Sequence, residues 1–433
     1  MRQGQRQPPV RVIFHSRRGV RYGLNVLAGA LEELEAAGIA EARFSSAEGE
    51  TARLAREAAR RGRDCAVCFS SRTPEFPEIA SSARKMREEG LPAGATLIAG
   101  GPHPAARPEE TLRAGFDLAA FGEGEETIRE LARALAENRS AETVRGLARL
   151  DGDRLRRARR PEPADLDRFP PFAARHRRFN PIEITRGCVY ACRFCQTPFL
   201  FGARFRHRSL EATEEAIRRL RAHGLRDVRF ITPSALSYGA ADASARLEKV
   251  EELLERARRA LGPGGRIFFG SFPSEIRPEH LTREAARLLR RFAANDNLIV
   301  GAQSGSDRML RLAGRGHTAA QAEEAVRTAL EAGFKVNVDF IFGMPGEEEA
   351  DRRATLALMR RLAARGARIH AHAFMPLPGT PWAGRPPSAI PPSWQRALGE
   401  LSAAGKLYGQ WARQARLATR LAEERNRGVF PTP

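Results

Sequence analysis

Residues 181–195 read PIEITRGCVYACRFC, and the fold is decided on this stretch. A short apolar run, PIEITRG (181–187), ends at a glycine that eases the turn out of a strand. Cys188, Cys192 and Cys195 follow with CxxxCxxC spacing, three cysteines within eight residues. Iron–sulfur clusters are held by thiolates from tightly spaced runs, usually four of them. Three thiolates on one short loop can each reach a different iron of a [4Fe-4S] cubane, leaving the fourth iron open. A structural zinc site wants a fourth nearby ligand. The nearest downstream candidate, His207 in RFRHR (204–208), reads more simply as part of a basic loop leading to a helix.

Beyond the loop, apolar runs alternate with amphipathic stretches. DVRFITP (227–233), RIFFGSF (266–272), NLIVGAQ (297–303), KVNVDFIFG (335–343) and RIHAHAFMP (368–376) read as strands. Helical patterns at 209–224, 242–261, 279–293, 319–333 and 347–365 separate them. With 181–187 this makes six βα units, too few for an eight-stranded barrel and suited to a partial one, (βα)6, over 181–383. Chemistry in such barrels sits at the C-terminal ends of the strands. After PLPGTPW (376–382), the segment 384–433 reads as a C-terminal helical tail with one long polar helix at 392–426.

Toward the N-terminus the same alternation appears in a smaller domain, 1–138. VRVIFH (10–15), EARFSS (41–46), CAVCFS (65–70), ATLIAG (95–100) and FDLAAF (116–121) read as strands, with helices at 22–37, 51–61, 77–89, 107–114 and 125–137. Strands apolar on both faces and separated by helices imply a parallel sheet covered on both sides. Five such units suggest a flavodoxin-like (Rossmann-like) doubly wound α/β domain, with its ligand beyond the carboxyl ends of the strands. Residues 139–180 mix Pro, Asp and Arg with little periodicity, and read as a short hairpin followed by a linker. Cys65 and Cys68 stand three apart in a strand, where side chains alternate faces, so they read as small apolar filler.

The composition bounds the rest. The 433 residues are 42% hydrophobic and 29% charged, as in a soluble globular protein. No apolar run approaches the ~18–20 residues of a membrane span. The opening MRQGQRQPPV lacks the apolar stretch of a signal peptide, so a cytoplasmic protein is expected. Five cysteines are too sparse and uneven for a disulfide framework. The formal charge is +20, from 72 Lys+Arg against 52 Asp+Glu, and only Lys85, Lys249, Lys335 and Lys406 are lysines. Such a balance admits nucleic-acid binding through phosphate contacts. Arginine-rich solvated helix faces, such as the stretch at 358–367, explain it equally, and no basic arm with interleaved aromatics appears.

The cysteine loop at the end of the first strand of a (βα)6 pattern resembles the radical S-adenosylmethionine (SAM) superfamily. The resemblance implies that SAM chelates the open iron of a [4Fe-4S] cluster and is cleaved by an electron from it to a 5′-deoxyadenosyl radical. It places Phe194 near the SAM adenine, Thr232 and Ser234 at the SAM amino group, and Gln303 and Ser304 at the ligand-facing end of the fourth strand. TPS stands at 232–234 where the family usually carries GGE. VDFIFGMPGE (338–347) resembles the fifth-strand GxIxGxxE pattern through Ile341 and Gly343; Asp339 replaces the first glycine and Glu347 falls one residue late. Asp339 is accordingly a candidate SAM contact, or a structural carboxylate. AFMPLPGTPW (373–382) looks like the sixth-strand ending of the same enzymes.

The N-terminal domain resembles the cobalamin (B12)-binding domain that precedes this barrel in one branch of the superfamily. IAGGPHPAARPEETL (98–112) and FDLAAFGEGEETIREL (116–131) carry the likeness. It implies corrin contacts at Ser70, Ser71, Gly100, Gly101, Gly122 and Glu123. The family's DxHxxG motif is replaced by VIFHSRRGVRYG (12–23), so no protein histidine is expected under the cobalt, with His15 and His103 the two alternatives. The expectation is a cobalamin-dependent radical SAM enzyme that methylates an unactivated centre of a small molecule or lipid, served by an electron donor such as flavodoxin or ferredoxin. The competing expectations are a radical SAM enzyme modifying RNA, one with a vestigial B12 domain, and a cobalamin-carrying or sensing protein.

Overall fold

The computed structural model describes residues 10–16 and 19–426, with side chains to residue 423. The opening segment read for a leader (1–9), and Arg17 and Arg18 of the VIFHSRRGVRYG stretch, lie outside the described residues. The chain forms two compact units, Met1–Asn180 and Pro181–Pro433.

In the first unit, strands β1 (Val10–His15), β2 (Ala40–Ser45), β3 (Asp64–Ser70), β4 (Ala95–Gly100) and β5 (Leu118–Ala120) pair in parallel in the order β2-β1-β3-β4-β5. This is the flavodoxin-type order, whose switch point falls between β1 and β3. Alternating residues feed two cores. Val12, Phe14, Cys68 and Ile98 pack with Leu24, Leu31, Ile128 and Leu131 on one side. Ile13, Cys65, Val67, Phe69 and Leu97 pack with Leu54, Ile79 and Met86 on the other. Each large side chain buried this way contributes about 1.5–3 kcal/mol. Cys65 and Cys68 thus lie on opposite faces, and burial pushes both thiols up to about 12. They cannot share a metal cluster.

The 139–180 stretch is more than a hairpin and linker. Its strands β6 (Leu147–Asp151) and β7 (Arg154–Arg157) extend the sheet antiparallel beyond β5. The remainder is pinned to the same unit: Phe169 and Ala173 enter the first core, and the Asn180 amide bridges Asn25 and the Tyr22 carbonyl. A Cβ on Gly29 would stand 2.6 Å from the Phe172 carbonyl oxygen, so this helix face is shaped to receive the returning chain. Apolar anchors in an aperiodic, arginine-rich segment are what the periodicity missed.

The second unit begins with β8 (Ile182–Glu183) and β9 (Thr185–Arg186), the latter paired antiparallel with β10 (Arg206–His207). The barrel wall continues through β11 (Asp227–Ile231) and β12 (Arg266–Phe268) to β13 (Asn297–Gln303), β14 (Lys335–Phe342) and β15 (Arg368–Ala373), all parallel within two sheets. A bridge from Ile276 to Val300 links the β12 side to β13. The six expected strands are present.

The tail differs from the single helix expected at 392–426. Helices Pro392–Ala403 and Trp411–Asn426 flank β16 (Leu407–Tyr408), which pairs in parallel with β15. The break is dictated by SAAGKLYGQ, where Gly405 and Gly409 take φ of +69° and +126°. A Cβ on Gly409 would sit 2.2 Å from the Ala371 carbonyl oxygen. Gly409→Ala is therefore expected to cost about 1–3 kcal/mol of backbone strain and lower the thermal unfolding midpoint; an unchanged midpoint would contradict the packing of β16 on β15.

Many exposed arginines are paired on helix faces. Arg327 binds Glu324 and Glu331, and Arg361 binds Glu323. No helix of the described residues is long and apolar enough to cross a membrane.

Candidate iron–sulfur and cofactor site

The cysteine loop leaves β9 through Gly187, whose φ is +80°. A Cβ there would meet the Arg204 carbonyl oxygen at 2.2 Å, so only glycine lets the loop pass. Ala191 is also left-handed, at φ +46°, a conformation held only where surrounding contacts over-determine it. Those contacts come from later barrel turns: Arg193 N–H donates to the Ala313 carbonyl, Trp382 N–H to the Arg193 carbonyl, and the Gln196 side chain to the Pro378 carbonyl. Phe194 packs half-buried on Met309, Met344, Phe374 and Trp382.

The three thiols are close enough to influence one another's ionisation. Burial, then the neighbouring thiols, raises Cys188 to about 11, against an opposing backbone N–H at Tyr190. Burial likewise raises Cys195, against hydrogen bonds from Thr197. Positive charge nearby favours thiolates there. Part of it is built in. The buried Arg315 directs Nη1 at Cys192 Sγ (3.7 Å) and donates Nη2 to Glu275 (3.2 Å) and to the Gly301 carbonyl (2.8 Å). Burial pulls the Arg315 guanidinium down, but Cys192 and Glu275 outweigh it, and the group stays charged. Arg277, stacked on Tyr190 at 3.3 Å, donates to the Arg315 carbonyl and to Glu279. His317 beside them is neutral, lowered to about 4 by burial and the adjacent Arg315.

Three soft sulfurs from one short loop beside a buried cation fit a cubane with an open iron. Among the described residues, a separate trio of possible ligands, Asp339, His370 and His372, has its ligand atoms within 4.8 Å of one another.

The other sequence-derived SAM residues divide. Gln303 holds a left-handed backbone at φ +65° and turns its amide toward Glu275 (3.4 Å). A Cβ on Gly301 would stand 1.8 Å from the Glu275 carboxylate, so a glycine makes room for this cluster. Thr232 and Ser234 are buried, however. The Thr232 hydroxyl bonds the Ser234 backbone, and the Ser234 hydroxyl bonds Ser237. Ser304 is fully buried with its hydroxyl against Thr355 and the Ser306 N–H. These three hydroxyls bond neighbouring turns of the chain. Asp339, expected at SAM, binds His370 at 2.9 Å.

Glu347, one residue late against the expected pattern, still closes the fifth-strand turn. Its carboxylate accepts the Gly343 N–H at 3.0 Å. Burial raises it to about 7 against that N–H. A carboxyl whose folded pKa lies above its unfolded value of about 4.5 gives stability that is full below 4.5 and is lost as pH rises through about 7. Glu347→Gln is therefore expected to stabilise the protein by about 2–3 kcal/mol at pH 8 and hardly at pH 4. Denaturant unfolding at both pH values checks this, and an equal effect at both would refute the burial argument.

In the first unit the structure brings Ser70, Ser71, Gly100 and Gly101 together at the ends of β3 and β4. Ser70 pairs with Gly100, and Ser71 N–H donates to the Gly100 carbonyl. Gly101 has φ +95°, and a Cβ there would crowd the Ser71 carbonyl at 2.9 Å. Gly122 and Glu123 meet a different neighbour. A Cβ on Gly122 would touch Pro161 at 3.0 Å, and the Glu123 carboxylate accepts the Ala164 N–H at 3.1 Å. The returning 160–164 segment contacts both residues. His15 is buried with Nδ1 on Thr51 (2.9 Å) and its ring on Phe69. His103 is buried between Phe76, Thr73 and Glu110. Both histidines are core residues.

Sequence reasoning missed Arg315, Glu275 and Arg277, which reach the loop from distant turns and carry no local motif. It also read His370 and His372 only as strand.

Comparison with known proteins agrees with this architecture. Residues 17–132 match the B12 binding domain, and 182–359 match the radical SAM superfamily. An uncharacterized protein of Methanopyrus kandleri is 28% identical over 67% of this chain and 63% of its own length. An uncharacterized methyltransferase of Pyrococcus horikoshii is 27% identical over 61% and 58%. A tRNA-2-methylthio-N(6)-dimethylallyladenosine synthase of Pelobacter propionicus is 31% identical over 50% and 47%. The chain thus spans less than two thirds of the length of these curated relatives. Among solved structures, the radical SAM methyltransferase TsrM of Kitasatospora setae, determined with cobalamin and a [4Fe-4S] cluster, superposes with a TM-score of 0.68. That match has 20% identity and covers 88% of this chain and 74% of TsrM. The chain thus carries a B12-binding-type domain followed by a radical SAM-type domain.

Proposed function

We propose that this protein is a cobalamin-dependent radical SAM methyltransferase acting on a small molecule or lipid in the cytoplasm. The observation that carries the reading is the trio of free cysteines on one short loop with Arg315 at Cys192, in one chain with a β2-β1-β3-β4-β5 domain. TsrM, of the same fold, was solved with cobalamin and a [4Fe-4S] cluster and, separately, with tryptophan and a SAM analogue.

In this reading Cys188, Cys192 and Cys195 hold three irons, and the cluster with SAM supplies the radical while cobalamin carries the methyl group. The chain's own part is positioning and electrostatics. Arg315 sets positive charge beside Cys192 and fixes Glu275. Phe194, backed by Met309 and Trp382, offers an apolar surface to the adenine. Gln303, held left-handed, presents its amide at the barrel interior. The glycine-ended turn at Gly100 and Gly101 lets the corrin approach the backbone, with Ser70 and Ser71 beside it. Gly122 and Glu123 support that pocket through the 160–164 segment. A flavodoxin or ferredoxin is the electron donor this chemistry calls for. Cys65 and Cys68, on opposite sheet faces, leave the N-terminal unit without a second cluster of the kind an RNA-methylthiolating enzyme carries.

The reading is tested by incubating the anaerobically reconstituted chain with SAM, cobalamin and a low-potential reductant. Chromatography with mass spectrometry is expected to show 5′-deoxyadenosine and S-adenosylhomocysteine. SAM left intact in a cluster-loaded protein would contradict it.

A further inference from the structure

The barrel interior carries a second donor set, apart from the cysteine loop. On β14, Val336, Val338, Phe340 and Phe342 are buried, while Asn337, Asp339 and Ile341 form the opposite, partly open face. On β15, His370 and His372 share the corresponding face. The parallel register sets Asp339 opposite His370. Two residues apart in a strand is one side-chain repeat, so the two histidines stand one above the other beside the aspartate.

We propose that Asp339, His370 and His372 form a binding site for a divalent first-row transition-metal ion. Asp339 Oδ1 lies 2.9 Å from His370 Nδ1, and His372 Nε2 lies 3.2 Å from the same nitrogen. All three ligand atoms fall within 4.8 Å of one another. Metal–nitrogen and metal–oxygen bonds of about 2.0–2.2 Å put neighbouring ligand atoms about 2.9–3.5 Å apart in octahedral or tetrahedral geometry, which both measured edges match. The available protons favour the same arrangement. His370 Nδ1 faces two acceptor-capable atoms and carries at most one hydrogen, so a single proton serves one contact well and the other poorly. A cation at the junction takes a lone pair from each of the three atoms.

The surroundings hold the ligands in place. Tyr408 of β16 stacks on His370 at 4.6 Å with planes 9° apart. The Tyr408 hydroxyl donates to Asn337 at 3.1 Å, fixing the stacking ring from the neighbouring strand. This gives the short tail strand a purpose: it clamps an imidazole. Two histidines and one carboxylate with open positions suit Fe(II), Co(II), Mn(II) or Zn(II). The remaining positions face the barrel interior, where a water or an oxygen or nitrogen atom of a substrate can coordinate. The site is independent of the cluster reading, since it shares no ligand with the cysteine loop.

The test uses the full chain with Cys188, Cys192 and Cys195 changed to alanine, so that no iron–sulfur cluster competes, and Co(II) as the probe under anaerobic conditions. About one equivalent of cobalt is expected to bind, with visible absorption bands of nitrogen and oxygen ligation. Asp339→Asn and His372→Ala, each checked for native circular dichroism, are expected to weaken binding at least 10-fold. Should the cysteine variant not fold, the same titration is made on the cluster-loaded wild-type chain, counting cobalt beyond iron. No cobalt uptake by the folded protein, or uptake that survives both Asp339→Asn and His372→Ala, overturns the proposal.

Discussion

Changing Cys188, Cys192 and Cys195 together to serine will take the reconstituted protein from about four irons per chain to a trace, and will abolish 5′-deoxyadenosine formation. A serine hydroxyl neither ionises in the accessible range nor matches iron in softness. The loop itself should survive, because its shape rests on backbone bonds. The Cys195 N–H donates to the Cys192 carbonyl, and Arg193 and Trp382 tie the loop to later turns. Unchanged circular dichroism with lost iron is therefore the expected pair of results. Single substitutions are expected to lose most of the iron as well, since each removes a ligand from one iron and two thiols hold a cubane poorly. Iron and sulfide counting with circular dichroism checks both. Full iron retention in the triple variant would remove the loop from the chemistry.

Arg315→Met is expected to cost about 3 kcal/mol, the scale for breaking a buried ion pair from one side. The methionine leaves Glu275 the Gln303 amide at 3.4 Å and the weaker field of Arg277, and strips Cys192 of the Arg315 cation. Burial already raises the Glu275 carboxyl, with Arg315 opposing. Without Arg315 that rise grows. A raised carboxyl loses stability as pH climbs through its folded value, so the penalty should be larger at pH 8 than at pH 5. Arg315→Lys, which keeps the charge but reaches fewer partners, should cost less at both. Denaturant unfolding of the three proteins at the two pH values decides it. A pH-independent loss would mean that Arg315 acts through packing alone.

What could be read from the chain, and what could not, follows from the range of the signals. The cysteine loop was legible because three cysteines lie within eight residues. The parallel sheets were legible because strands covered on both faces, such as CAVCF (65–69), are continuous apolar runs. The first unit's hairpin was foreseen as a hairpin but not as part of the sheet, since β6 joins β5 through backbone bonds that leave no side-chain pattern. Strand β16 was hidden for a similar reason. Its two residues, Leu407 and Tyr408, are too few for a period to show, and their register on Ile369 and His370 is tertiary. Arg315 and Glu275 are forty residues apart and meet only once the barrel closes. Thr232, Ser234 and Ser304 were placed by resemblance and position in the strand order, and the bonds of their hydroxyls to neighbouring turns leave no local pattern. One signal was available and unused: HAH in RIHAHAF places two imidazoles on one strand face, beside a strand with a solitary aspartate.

The central claim, one chain holding both a SAM-cleaving cluster and cobalamin, is tested most directly by anaerobic reconstitution. Iron and sulfide are counted, and the corrin released from the washed protein is measured by mass spectrometry. About four irons and about four sulfides per chain are expected, together with about one cobalamin. Four irons without corrin would contradict it and leave a radical SAM enzyme whose first domain is a scaffold.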